Sequence, residues 1–386
     1  MGRFPHLHGE CNPVADAFRV RRSNRSGTDA PERTIKNNPW IRLGRRNWLA
    51  ELVHRCRSVN ADPAISLVMP ARDAESTIAE AIRSIQNQSF SDWELIVVDD
   101  QSTDRTREIA DKFGASDPRI RTVQTEPPSA RSVSAARNRG MAVARGRYIT
   151  FPDADDVAVP IRLHSTITAM MDTEATIGFA DFQRFSDQGD FLQPHLAGNH
   201  FMDRAALFLE PFGHRRYIAR SEFVGFMLTD MISLSVQTTM VDRSLIGADR
   251  FDESMIGGED LDLFYRIAVK NEARIVYLDD VLTRMRTHGA SVTSTRRREC
   301  EAGACLARFR ALSALASCMT PAQRIAAKRA VSAAYFSLGY GLRTDGDARA
   351  ARAAYVKSFS IHPSSVAAFA YGKSFIAPRP VEPQGV

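Results

Sequence analysis

Cysteine is scarce in this sequence, and what there is does not pair by pattern. Cys11, Cys56, Cys300, Cys305 and Cys318 are scattered over 386 residues with no CxxC spacing. That argues against a disulfide framework or a zinc site and fits a reducing, cytoplasmic setting. Long apolar runs are lacking too. The most apolar stretch, Phe223 to Val241, is broken by Asp230 and flanked by Arg220 and Glu222. It falls short of the roughly 20 consecutive apolar residues that a spanning helix needs. The opening "MGRFPHLHGE" carries no apolar signal-peptide core, and His6 breaks the myristoylation pattern. HExxH, GxSxG and a Walker-type glycine loop are absent, which disfavours zinc proteases, α/β-hydrolases and P-loop NTPases. The expectation is a cytoplasmic protein, soluble or peripheral on the inner face of the membrane.

Positive charge is present but concentrated. Residues 1–60 hold twelve Lys/Arg against five Asp/Glu, while the chain as a whole is +6, so the remainder is near neutral. A near-neutral body is not a nucleic-acid binder. Residues 1–38 are polar, basic and aperiodic and read as a disordered arm. Within 39–60, "WIRLGRRNWLAELVHRCR" places Trp48, Leu49, Leu52, Val53 and Cys56 at helical spacing among arginines. Such a basic amphipathic helix, at residues 40–57, either makes a peripheral membrane contact or packs on the neighbouring domain.

Residues 61–295 alternate strand and helix. "ISLVMP", "ELIVVDD", "IRTVQTE" and "YITF" read as short buried strands. Between them Ile78, Ala81, Ile82 and Ile85 form one helical stripe, and Val133, Ala136, Gly140, Met141 and Ala144 another. Alternation of this kind predicts an α/β fold with a mostly parallel, Rossmann-like sheet flanked by helices. "SVQTTMVDR" and two runs, "RIVYLDD" and "VLTRMRTH", read as further strands, and "GGEDLDLFYRIAVKNE" as a Gly pair opening a helix. The aperiodic 186–225 segment, with His195, His200 and His214-Arg215-Arg216, is expected to be functional, since long irregular segments inside compact domains often are. Residues 296–375 are Ala-rich and predict an α-helical extension, followed by a tail over 376–386. Tyr335, Leu338, Gly339, Leu342, Ala351, Tyr355 and Pro363 match the spacing of one tetratricopeptide unit. One unit cannot bury its own face, so it caps the α/β domain or offers a surface to a protein partner.

Ligands of parallel sheets collect at the carboxyl ends of the strands. That rule gathers Pro70–Asp73, Asp99–Asp100 and Asp153–Asp156 on one rim. Asp153 and Asp155, one residue apart where the chain leaves a strand, suit a hard divalent ion such as Mn2+ or Mg2+ that also takes phosphate oxygens; the alternative is an Asp-rich helix cap. Asp156 is expected to cap the next turn and not to bind the ion. Asp99 and Asp100 can accept hydrogen bonds from a ligand or cap the following helix. Arg137, in "SAARNRG", can pair with phosphate or with another element. Glu259 and Asp260, after Gly257-Gly258, either complement a helix dipole or supply a general base. His288, beyond Arg286 at a strand end, is a structural residue or a ligand.

In order, "ISLVMPARDAESTIAEAIRSIQNQSFSDWELIVVDDQSTDRT", "SAARNRGMAVARGRYITFPDADD" and "FDESMIGGEDLDLFYRI" resemble family 2 glycosyltransferases of the GT-A fold. The likeness covers about residues 64–290. It implies inverting transfer of a sugar from a nucleotide-diphosphate sugar, UDP-linked by expectation, to a glycan or lipid-linked acceptor in cell-surface or exopolysaccharide synthesis. It further implies that Pro70, Arg72, Asp99, Asp100, Arg137 and Asp153 bind the nucleotide sugar. Asp155 would be the direct metal ligand, with Asp153 and His288 beside it. Asp260 would be the catalytic base, with Glu259 contacting the acceptor. Two positions depart from the pattern. Arg72 stands where the family usually has an aromatic after "PA", and Ser132 where it often has Gly. The competing reading is an inactive sugar-nucleotide-binding scaffold whose C-terminal helices bind a partner. A nucleotidyltransferase would want a Gly-rich basic loop where "PARDAE" stands.

Overall fold

Both sides of β1 (Ile65–Ala71) are apolar: Ile65, Leu67 and Met69 belong to one core and Val68 to the other, each fully buried. A strand buried on both faces must lie inside a sheet covered by helices on both sides, and that is where the computed structural model places it. The structure describes residues 62–375, apart from 126–131, 187, 191–193, 199, 221, 231–233, 271, 290–294 and 317–318. The expected arm, amphipathic helix and tail therefore lie outside the described residues.

The other strands are β2 (Trp93–Asp99), β3 (Ile120–Gln124), β4 (Tyr148–Thr150), β5 (Val157–Ala158), β6 (Ile177–Ser186), β7 (Gly189–Asp190), β8 (Leu209–Pro211), β9 (Arg216–Ala219), β10 (Met240–Asp242) and β11 (Ile275–Arg286). They run β3-β2-β1-β4-β10-β6-β11-β9-β8, with β5 on β11 and β7 on β6. β1 to β4 are mutually parallel, β10 is antiparallel to β4 and β6, and β11 is parallel to β6. One reversed strand thus joins two parallel blocks that point the same way. The carboxyl ends of β1, β2, β4, β6 and β11 consequently share a rim, and the start of β10 opens onto it.

Helices α1 (Ile78–Gln86), α2 (Thr106–Ser116), α3 (Val133–Val143) and α4 (Arg162–Asp172) make the crossovers. α5 (Phe223–Thr229) and α6 (Glu259–Ala268) thicken one face. α7 (Arg297–Ala314), α8 (Pro321–Thr344), α9 (Ala348–Ile361) and α10 (Ser365–Lys373) follow as the helical extension, with α7 packed on α6 and α8 on α5. Among the described residues no helix is long and apolar enough to cross a membrane, and Cys300 and Cys305 are not joined in a disulfide.

Two local readings need correction. "RIVYLDD" and "VLTRMRTH" are one strand, β11; Asp279-Asp280 is a bulge where the register on β6 shifts, not a turn. "SVQTTMVDR" alternates like a strand, yet Val236–Thr238 is a 3-10 turn and only Met240–Asp242 joins the sheet. Within the 186–225 segment, Arg215 and Arg216 form ion pairs with Asp280 (3.1 Å) and Asp172 (2.8 Å).

Candidate active site

β4 ends at Thr150, and the chain leaves the sheet through Phe151-Pro152 into Asp153-Ala154-Asp155-Asp156 before β5 pairs with the end of β11. Ligand oxygens of Asp153, Asp155 and Asp156 all lie within 4.8 Å of one another. Three carboxylates this close repel one another unless positive groups lie nearby. Burial, with Asp153 alongside, pushes Asp155 up, against the pull of its His288 bond. Burial pushes Asp156 well above the carboxylate range, and Asp153 and Asp155 add to it.

Arginines from three elements, with His288 just beyond β11, surround this loop. Arg137 of α3 donates 2.9 Å bonds to Asp153 Oδ1 and to Glu259 Oε1. Arg162, at the start of α4, is buried beneath and donates to Thr150 Oγ1 at 2.7 Å. Burial lowers its pKa to about 10 against the pull of Asp156 and Asp153. Arg286, at the end of β11, gives its backbone N–H to Asp156 Oδ1 (2.9 Å) and its Nε to the Asp155 carbonyl (3.1 Å), and pairs with Glu80 of α1. His288 Nε2 lies 3.0 Å from Asp155 Oδ2. Asp156 therefore anchors β11 and does not cap the following turn as expected. Its Oδ2 is buried with no partner among the described residues.

Arg137 is the hinge of the arrangement. Its side chain is 3% exposed, with the guanidinium 5.5 Å over Phe251, which meets Phe151 edge-on. Burial alone would lower its pKa, but Asp153, Glu259 and Asp260 outweigh that and raise it. The neighbouring Asn138 accepts from Phe251 N–H and donates to the Phe251 carbonyl, each at 2.9 Å, so α3 also holds the loop leading to α6. Phosphate pairing by Arg137, one of the two readings above, would compete with two carboxylates already in place.

Asp260 sits in the first turn of α6 and accepts the Leu261 N–H at 2.8 Å. Burial and then the adjacent Glu259 charge raise its pKa to about 7, against Arg137 and that N–H bond. A carboxylate poised there is a competent general base near neutrality. The turn before it depends on glycine. Gly257 and Gly258 have φ of +71° and +72°, and a Cβ on either would lie 2.5–2.6 Å from backbone of Cys300 or Ala304 in α7. From the other side, a Cβ on Gly303 would sit 1.9 Å from the Gly257 carbonyl oxygen. Arg310 pins the same helix further along, bonding Asp252 (2.9 Å) and Asp262 (3.1 Å). Mid-helix Gly→Ala normally stabilises by about 1 kcal/mol. At Gly303 the expected result is instead a loss of about 1–3 kcal/mol from overpacking, with reduced turnover. Thermal denaturation of Gly303→Ala checks this; a raised melting point with unchanged kcat would count against the contact.

At the other end of the rim, Asp99 is buried and accepts the Ser102 N–H at 3.2 Å, and Asp100 is buried against Thr125 Oγ1 at 2.8 Å. Arg72 is half-exposed and lies 3.8 Å from Asp73. Asp73 is locked by the Thr103 N–H (2.7 Å), and Asp104 caps α2 through the Thr106 N–H (2.9 Å). Ser132, the departure noted above, caps α3 by accepting from Ala135 N–H at 3.1 Å. Two participants escaped sequence reading. One is Arg162; the other is Gln237, which donates to Asp153 Oδ2 at 2.7 Å from the 3-10 turn before β10. Thus Arg137 joins Asp153 and Glu259 by direct bonds with Asp260 next in the chain, His288 bonds Asp155, and Pro70, Arg72, Asp99 and Asp100 lie on the same rim at the ends of β1 and β2.

Comparison with known proteins agrees with this architecture. Residues 66–229 match the family model described as glycosyl transferase family 2. The chain is 34% identical over 130 residues to the putative teichuronic acid biosynthesis glycosyltransferase TuaG of Bacillus subtilis, covering 34% of this chain and 51% of that protein. It is 25% identical over 238 residues to the UDP-Glc:alpha-D-GlcNAc-diphosphoundecaprenol beta-1,3-glucosyltransferase WfgD of Escherichia coli, covering 62% and 83%. The chain thus spans about half the length of TuaG and most of WfgD. Among solved structures, TarS residues 1–349 of S. aureus superpose with TM-score 0.55 at 17% identity, over 80% of this chain and 87% of that one. The mannosyltransferase PcManGT of Pyrobaculum calidifontis gives TM-score 0.52 at 16% identity, over 85% and 86%. These structural likenesses concern the fold. With the family match, the matching relatives and the sheet in agreement, residues 66–229 of the chain form a glycosyl transferase family 2 domain.

Proposed function

We propose that the chain transfers a sugar, with inversion, from a UDP-linked donor to a hydroxyl of a glycan or lipid-linked acceptor in cell-surface polysaccharide synthesis. The observation that carries this is the Arg137 bridge, which ties Asp153 of the acidic loop to Glu259, next to Asp260. It brings a diphosphate-side cluster and a base-side turn into one rim. The donor and acceptor classes follow the relatives: WfgD is named for UDP-glucose and for a diphosphoundecaprenol-linked acceptor.

In this reading Asp260 Oδ takes the acceptor hydroxyl proton as that oxygen bonds to the anomeric carbon. The bond from the anomeric carbon to the diphosphate oxygen breaks on the opposite face, which inverts the configuration. Glu259, held by Arg137, orients the acceptor. Asp100, Asp99, Pro70 and Arg72 line the nucleotide. The acidic loop fits Mn2+ or Mg2+, because Asp153 and Asp155 offer hard carboxylate oxygens within 4.8 Å of one another, and Asp156 Oδ2 beside them is buried without a partner among the described residues. Asp155 and Asp153 would hold the ion with His288 alongside; when bound, it offsets charge on the departing diphosphate. Asp155→Asn is expected to weaken donor binding and remove its dependence on the cation. Calorimetric donor titrations with and without Mn2+ test this, and an unchanged Mn2+ dependence in the variant would contradict the assignment.

A further inference from the structure

Eight of the twelve exposed large apolar residues among the described ones fall between 325 and 375, so the exposure belongs to the helical extension and is not spread over the surface. On α9, Arg349, Arg352, Val356 and Phe359 follow helical spacing along one face, while Ala354, Tyr355 and Ser358 bury the other. On α10, Val366, Phe369 and Lys373 repeat the pattern, with Phe369 64% exposed. Cations lie on the rings: Arg352 is 4.8 Å over Phe375 and Lys373 is 4.5 Å over Phe369. Charge here is also one-sided, with eight Lys/Arg against two Asp/Glu from residue 319 to 375.

A helical face that meets water normally carries a polar surface, and this one carries phenylalanines. Scattered aromatic and β-branched groups rimmed by Lys and Arg match an anionic bilayer interface. Rings enter the acyl boundary there while cations meet headgroup phosphates. A second copy of the same face would bring like charge against like charge. We propose that the outer face of α9 and α10, built on Val356, Phe359, Phe369 and Phe375 with Arg349, Arg352 and Lys373, docks on an anionic lipid bilayer.

The test is co-sedimentation of the full chain with vesicles of phosphatidylcholine, alone or mixed with phosphatidylglycerol. Two variants are compared with the parent: Phe359→Ser/Phe369→Ser/Phe375→Ser and Arg349→Gln/Arg352→Gln/Lys373→Gln. All six side chains lie at the surface or its edge, so circular dichroism and melting temperature are expected to hold. Each variant is expected to lose about tenfold or more of its partitioning onto the anionic vesicles, with added salt weakening the parent in the same direction. Unchanged partitioning of both variants would overturn the proposal. So would a concentration-dependent dimer that the phenylalanine variant abolishes, which would make the face an interface between copies. The readout involves neither donor nor acceptor, so it stands or falls separately from the glycosyltransferase reading.

Discussion

Asp260→Asn is expected to lower kcat by about 10²–10⁴-fold while donor affinity stays within a small factor of the parent. The amide keeps the shape and can still accept the Leu261 N–H, but it cannot take a proton. A second signature separates loss of a base from loss of structure. Burial and Glu259 raise Asp260 to about 7, and the base form is the ionised one. In the parent, kcat/KM is therefore expected to rise with pH up to an inflection near 7 and then level. In the variant the small residual rate should lose that inflection. A parent profile that falls across the same range would mean that Asp260 acts protonated, and near-normal turnover in Asp260→Asn would remove it from the chemistry.

The second large effect concerns stability and activity together. Arg137→Met replaces a buried guanidinium with an apolar chain of similar reach and strands Asp153 and Glu259 opposite each other. Removing one partner of a buried ion pair typically costs about 3–5 kcal/mol, and here two carboxylates lose the same cation. Chemical denaturation should show a loss of at least that order. Arg137→Lys is expected to rescue only part of it, since a single ammonium cannot fork to two carboxylates on different elements. A loss below about 1 kcal/mol for Arg137→Met would show that solvent or a rearranged side chain already satisfies these groups.

The rim itself was legible in the sequence. β1, β2 and β4 are buried on both faces, so they read as unbroken apolar runs, and each ends in polar residues that a parallel sheet must place together. Other features were hidden for physical reasons. Arg137 and Glu259 are 122 positions apart, and nothing local distinguishes an arginine that meets phosphate from one spent on carboxylates. Gln237 sits in a run whose alternation imitates a strand, and the 3-10 turn that aims it at Asp153 follows from packing on β4 and β6. Arg162 looks like an ordinary first-turn residue, and its burial beside Asp153 and Asp156 exists only once β5 closes onto β11. The Gly257–Gly258 turn signalled a helix start, but its dependence on Gly303 needed α7 in place. Asp156 illustrates the same limit: its anchor, the Arg286 N–H, comes from a strand 130 positions away.

The most direct test is a screen of nucleotide-diphosphate sugars for release of nucleoside diphosphate by the parent chain with Mn2+, run beside Asp155→Asn and Asp260→Asn. Release from a UDP-sugar that requires the cation and collapses in both variants is the expected result. Failure of every donor to bind or turn over, or equal release by Asp260→Asn, would contradict the assignment of this rim as a glycosyl-transfer site.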